Sequence, residues 1–136
     1  AAHRSTVSAR SVGGLGKHVA HVESGWVDFI VFGPTALGTE SADDYSAHEA
    51  SFRMLPGETL ESVMRHWDDV TRRTDELVVT LPDLDASHPL PEAPWYKPGA
   101  RWSARRAFLH IIAETAQHAG HADIIREAID GATTMG

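Results

Sequence analysis

The sequence predicts an all-α protein, and three long amphipathic segments are the observations that predict it. Apolar side chains recur at helical spacing in residues 11–31, 59–81 and 103–129. The two segments between them, residues 33–57 and 82–101, are rich in turn formers, and the second holds five prolines. Neither is typical of a strand. We therefore expect an antiparallel helical bundle.

Each long segment has its own apolar stripe and end signals. The stripe of the first consists of Leu15, Val19, Val22, Trp26, Phe29 and Ile30. The stripe of the second consists of Leu60, Val63, Met64, Trp67, Val70, Leu77, Val78 and Leu81. Thr59 and Ser103 suit the N-cap positions of the second and third helices, Pro82 ends the second, and Gly131 suits the C-terminal glycine of the third.

A stable bundle usually has four helices, and this sequence shows three long ones. No fourth long helix fits in the linkers, and residues 1–10 are too short to form one. We expect the fourth helix to lie upstream of this chain's start. The alternative is that a partner subunit supplies it.

The composition limits the classes of function. With 136 residues, we expect one domain over residues 1–136. A net charge of −7 argues against a nucleic-acid partner. No apolar run approaches the roughly 18–20 residues of a membrane span, and the start lacks the apolar core of a signal peptide. We expect a cytoplasmic protein without a membrane partner.

The chain has nine histidines and no cysteine. Disulfides, thiolate side chains and Cys-ligated zinc are therefore excluded, and sulfur chemistry would need an external thiol. In the third helical segment, His110, Glu114, His118 and His121 are spaced by four, four and three residues, which places them on one helix face. The same face carries Ala107, Ile111, Ile125 and Ile129, so we expect it to point towards the core.

A metal site follows from sorting the other histidines by helix face. His18 borders the stripe of the first helix, whereas His21 points towards solvent. The remaining histidines lie off a stripe (His66) or in loops and the N-terminal segment (His3, His48 and His88). Glu114 and His118, together with His18 from a facing helix, form a two-His, one-Glu ligand set of a kind that leaves an open position on zinc. The alternative is a solvated or salt-bridged helix face.

Other residues near this set are weaker candidates. His110 and His121 suit either supporting contacts to the ligands or acid–base catalysis, with satisfied polar residues at the bundle margin as the alternative. Arg101, Arg105 and Arg106 suit an anionic substrate or are plain solvent-facing charges, with Trp102 packing beside them. No HExxH, di-iron, P-loop, GxGxxG or Ser/His/Asp pattern is present. Non-haem iron oxygenases also use two His and one carboxylate, but nothing here suggests a strand-rich scaffold.

The stretches VGGLGKHVAHVESGW and RWSARRAFLHIIAETAQHAGHADIIREAIDG resemble the DinB-like superfamily. More narrowly, the chain resembles its DUF664 branch, which is related to mycothiol-dependent enzymes such as maleylpyruvate isomerase. The resemblance implies a four-helix bundle in which three side chains hold a divalent metal, here His18, Glu114 and His118. Members normally carry a helix before the His18 segment, which this chain lacks.

These observations suggest an enzyme that uses a low-molecular-weight thiol such as mycothiol, as a transferase or isomerase. The nucleophile would be a metal-bound thiolate, with His121 or His110 moving a proton. Arg101 and Arg105 are the candidate co-substrate contacts. Zinc is the first choice of metal, with nickel, iron or manganese as alternatives, and the electrophile is not assigned. The resemblance is compatible with a homodimer.

Two other functions remain open. One is a small metal-binding stress-response protein without catalysis. The other is a structural helical domain whose histidines are packing residues. Replacing Glu114 by Ala separates a metal site from the structural alternative, because it removes binding only in the former.

Overall fold

A computed structural model describes residues 11–38 and 42–132 of the chain. Its α-helices are α1 (Val12–Phe32), α2 (Ala42–Ser51), α3 (Leu60–Thr80) and α4 (Ala104–Asp130). A short 3-10 helix, Pro34–Leu37, follows α1, and the strands β1 (Ser87–Pro89) and β2 (Arg101–Ser103) lie between α3 and α4. The predicted all-α helical bundle is confirmed.

The three long helices begin and end within a residue of their predicted bounds, because their end signals are local. Ser11, Thr59 and Ser103 are the N-caps, and each side chain accepts a hydrogen bond from the backbone N–H three residues later. Gly131 ends α4 in the left-handed conformation, with φ of 73°.

Both linkers differ from the prediction. Residues 33–57 contain α2, so His48 lies in a helix and not in a loop. The sequence of α2 has no regular apolar stripe, and the helix is instead placed by packing against α1. In the second linker, β1 and β2 pair antiparallel with His88 opposite Trp102, so His88 lies in a strand. A two-stranded ribbon tolerates Pro89 because each strand has a free edge.

Helices α1 and α3 run in the same direction. Near the start of α1, Lys17 pairs with Glu58 at a distance of 3.0 Å between Nζ and Oε1. Near the end of α1, Asp28 pairs with Arg73 at 2.6 Å. The prediction of antiparallel neighbours therefore fails for this pair, because the long connection through α2 returns the chain to the same end of the bundle.

Helix α4 runs antiparallel to α1, as predicted. The ring of His18, near the start of α1, lies 4.9 Å from the ring of His118, far along α4. Towards the end of α1, Trp26 lies 4.9 Å from His110 and stacks on Trp102, just before α4. The main core lies along this second half of α1 and contains Trp26, Val27, Phe29, Ile30, Ala104, Ala107 and Ile111.

Several residues of the predicted stripes do not reach a core. The side chains at Leu60, Met64, Val78 and Ile129 are all more than 40% exposed. Helix α3 packs chiefly on α1, so its buried face is narrower than its apolar stripe. His66 is exposed, as predicted, and so is His21.

A buried carboxylate joins α3 to α1. Glu23 is only 5% exposed. The Nε1–H of Trp67 donates a hydrogen bond to its Oε2 at 3.1 Å. The hydroxyl of Thr74 donates to its Oε1 at 2.6 Å. Two donors that lie two turns apart on α3 thus satisfy both oxygens of one α1 side chain.

The ribbon of β1 and β2 covers the C-terminal end of α1. The Nε2–H of His88 donates to the Ile30 carbonyl at 3.1 Å, satisfying one of the carbonyls that a helix end leaves unpaired. Trp102 of β2 stacks on Trp26 with ring centroids 4.7 Å apart, which fixes where α4 begins. The position of this start determines which residues of α4 lie beside which residues of α1.

Within residues 11–38 and 42–132, none of the helices has both the length and the apolar character that a membrane span requires. His3 and the predicted upstream helix lie outside the described residues.

Candidate metal centre

The three predicted ligands come together between α1 and α4. One ligand atom from each of His18, Glu114 and His118 lies within 4.8 Å of the other two. In the part of the chain that the structure describes, they are the one such group of three or more His, Asp and Glu residues. His18 and His118 are buried, and Glu114 is partly exposed. The arrangement therefore has two inner imidazoles and one carboxylate nearer the surface.

The pair on α4 already has the spacing of metal ligands. His118 Nε2 lies 3.4 Å from Glu114 Oε2. A tetrahedral zinc ion with bonds of about 2.0–2.1 Å places neighbouring ligand atoms about 3.3–3.4 Å apart. The i,i+4 spacing thus produces one edge of a coordination tetrahedron without further movement.

The charge of the site also fits a cation. Among the described residues, the basic groups beside Glu114 are the imidazoles of His110 and His118, which carry a positive charge only when protonated. A half-buried carboxylate is costly when no permanent positive charge compensates it. Imidazoles bind a metal in their neutral form, so two of them with one carboxylate form a set of net negative charge that suits a divalent ion.

The ring of His18 is held by α2 and the residue that follows it. Its Nδ1 lies 2.8 Å from the Ser51 hydroxyl, and its face stacks on Phe52 with ring centroids 3.7 Å apart. The ring of His48 meets its edge at 5.1 Å. Sequence reasoning missed all three residues because they lie in a segment without helical periodicity.

His110 lies between the Glu114 carboxylate and the aromatic core. Its Nε2 lies 3.8 Å from Glu114 Oε1, and its ring packs against the edges of Trp26 and Trp102. Burial lowers the pKa of His110, and the charge of Arg106 lowers it further, while Glu114 acts in the opposite direction. His110 is therefore uncharged at pH 7.

The family of the chain follows from comparison with known proteins. The family model of the mycothiol S-transferases matches residues 1–131. The chain belongs to the mycothiol S-transferase family. Its membership confirms the resemblance to mycothiol-related DinB-like proteins and implies a small-molecule thiol as substrate. No curated protein and no solved structure matches the chain.

His121 lies behind the candidate ligand His118. Its Nδ1 is 3.4 Å from Nδ1 of His118, the ring nitrogen opposite the one that faces Glu114. This position suits a group that orients His118. Its predicted role in moving a proton stays a prediction.

The two predicted co-substrate arginines bind the chain itself. Arg101 donates to the hydroxyl and the carbonyl of Ser87 at 3.1 and 2.8 Å. Arg105 holds both carboxylate oxygens of Asp85 at 2.9 and 3.2 Å, and this hydrogen bond lowers the pKa of Asp85. Both guanidinium groups thus hold the ribbon and the segment just before it, and their role towards a co-substrate stays a prediction.

A cavity of about 280 Å³ lies between α1 and the start of α3. Its lining includes Lys17, His21, Ser24, Glu58, Ser62 and His66. His21 is one helical turn beyond the candidate ligand His18, and the Lys17–Glu58 ion pair neutralises the two charged groups of the lining. The cavity therefore offers hydroxyl and imidazole groups and little net charge.

Proposed function

We propose that the protein is a metal-dependent transferase that joins a low-molecular-weight thiol, mycothiol or a similar one, to an electrophile. The observation that carries the proposal is the convergence of His18, Glu114 and His118 in a chain of the mycothiol S-transferase family. A divalent ion held there supplies the positive charge that lowers the pKa of a thiol and favours the thiolate at neutral pH.

The residues of the chain have separate tasks in this proposal. The Glu114 carboxylate offsets the charge of the cation, and the buried rings of His18 and His118 supply neutral nitrogen donors. Phe52 stacks on one face of His18 and shields that side from water. The thiol proton must leave before the carbon–sulfur bond forms and the leaving group departs. Of the two predicted acid–base residues, His110 fits better, because it is neutral and able to accept a proton at pH 7.

The donor set favours zinc and also suits nickel, iron or manganese. We place the part of the thiol away from its sulfur in the cavity beside His21, whose lining includes hydroxyl and imidazole groups. Narrowing this cavity with Ser24→Leu is then expected to raise the KM for the thiol and to leave the metal content unchanged.

The test is thiol conjugation to a fluorogenic haloalkyl electrophile with mycothiol as the thiol. Chelator-stripped protein is expected to fall to the uncatalysed rate and to regain activity on addition of zinc. Glu114→Ala is expected to be inactive even with zinc. Glu127→Ala removes an exposed carboxylate from the same helix and is expected to retain full activity.

Full activity in the stripped protein or in Glu114→Ala would contradict the proposal. Metal binding without any acceleration would instead support the second candidate, a metal-binding protein without catalysis.

A further inference from the structure

Ser51, the last residue of α2, lies between a carbonyl oxygen and a histidine ring nitrogen. Its side chain is buried, and its Oγ lies 2.6 Å from the His48 carbonyl and 2.8 Å from Nδ1 of His18. A carbonyl oxygen only accepts hydrogen bonds, so the 2.6 Å contact requires the Ser51 hydroxyl proton. The hydroxyl has one proton, and its oxygen must therefore accept from His18.

We infer that Ser51 is a positioning residue that holds His18 as its Nδ1–H tautomer. In a neutral imidazole, a proton on Nδ1 leaves the lone pair on Nε2. Ser51 thus presents Nε2 of His18 as the metal-binding atom before any metal arrives. The inference deepens the proposed function and rests on His18 being a ligand.

The same turn of α2 fixes the plane of the ring. Phe52 stacks on His18 at an interplanar angle of 18°, and His48 meets it nearly at a right angle. Contacts from residues 48, 51 and 52 therefore reach the ring from three directions. A ligand restrained in this way loses little freedom when it binds a metal.

Gly14 explains how α2 comes close enough to do this. A Cβ at Gly14 would lie 1.9 Å from the Phe52 carbonyl oxygen, a distance that backbone atoms do not tolerate. Gly14 is one turn before His18 on α1. Because Gly14 has no side chain, the backbone at Ser51 and Phe52 can pack directly against α1 beside His18.

The tautomer is measurable in metal-free protein. Long-range ¹H–¹⁵N spectra of histidine-labelled protein distinguish Nδ1–H from Nε2–H, and His18→Gln assigns the His18 signals. The wild type and Ser51→Thr are expected to show Nδ1–H at His18. Ser51→Ala is expected to lose this preference, while Ser46→Ala, an exposed serine of the same helix, is expected to match the wild type.

Zinc affinity, measured by competition with a chromophoric chelator, is the second readout. Ser51→Ala is expected to bind about 10- to 100-fold more weakly than the wild type, with Ser51→Thr and Ser46→Ala close to the wild type. Folding of each variant is checked by circular dichroism.

Three outcomes are distinguishable. A wild type with Nε2–H at His18, or a folded Ser51→Ala with wild-type tautomer and affinity, would overturn the role of Ser51 and leave the metal site standing. A wild type that binds no zinc would overturn the proposed function, and the tautomer of His18 would then decide the role of Ser51 alone.

Discussion

Two glutamates, one buried and one partly exposed, show how differently a carboxylate between packed helices is accommodated. Glu23 finds donors in Trp67 and Thr74, which lie 44 and 51 residues further along the chain. Among the residues that the structure describes, Glu114 has the imidazoles of His110 and His118, each one turn away on its own helix. The second arrangement is visible in the sequence because its spacing is local, whereas the first depends on how α3 packs against α1.

Replacing Glu23 by Ala is expected to destabilise the protein by about 2–4 kcal/mol, because two hydrogen bonds to a buried charged group are lost together. Chemical denaturation measures the change in free energy of unfolding. Glu61→Ala removes an exposed carboxylate of α3 and is expected to change stability by only about 0.5 kcal/mol. Equal effects of the two variants would show that Glu23 does not hold α3.

The candidate ligands themselves were predictable, since helix face and i,i+4 spacing together point to His18, Glu114 and His118. The residues that contact these ligands were only partly predictable from the sequence. His110 and His121 share the helix face of the ligands, but Ser51 and Phe52 lie in a segment that the sequence indicated to be a linker. No periodic pattern or motif marks them.

At the scale of elements, the long helices were predictable because caps and apolar periodicity are properties of neighbouring residues. Helix α2 and the ribbon of β1 and β2 were not, because tertiary contacts hold them. The direction of α3 relative to α1 was also missed. It depends on how far the connection through α2 travels, which residue spacing does not encode.

The glycines of α1 provide a prediction about the contact between α1 and α2. Gly14→Ala is expected to lower stability by about 1–3 kcal/mol, because its Cβ would overlap the Phe52 carbonyl. Gly25→Ala meets no atom within 4 Å and is expected to raise stability by about 0.5–1 kcal/mol through helix propensity. Thermal and urea unfolding of both variants measure this difference, and stabilisation by both would contradict the close approach of α2.

The segment before α3 should respond to acid through Glu58. The Leu55 N–H, donating at 2.7 Å, and Lys17 together hold the pKa of Glu58 below its usual value of about 4.5. Its folded pKa is lowered, so its contribution to stability is present above about pH 4.5 and is lost as pH falls through the lowered pKa.

Urea unfolding between pH 3 and pH 6 tests this contribution. The stability difference between the wild type and Glu58→Gln is expected to shrink as the pH falls below about 4.5. Glu61→Gln controls for the removal of one negative charge near the same helix start. A difference for Glu58→Gln that stays constant with pH would argue against the contact.

At the scale of the whole molecule, α1 is the central element. It packs against α3 along one side and against α4 along another, and it carries His18 while α4 carries the other two ligands. A bound ion would therefore join two antiparallel helices at the end of the bundle away from the ribbon. The aromatic contacts of Trp26 and Trp102 hold the same two helices near the ribbon.

The most direct test of the central claim is the metal content of untagged protein. The protein is reconstituted with zinc, excess zinc is removed, and elemental analysis counts the divalent ions per chain. The wild type and Glu127→Ala are expected to contain about one ion per chain, and Glu114→Ala is expected to contain none. A wild type without metal, or a Glu114→Ala variant that retains it, would contradict a metal centre formed by His18, Glu114 and His118.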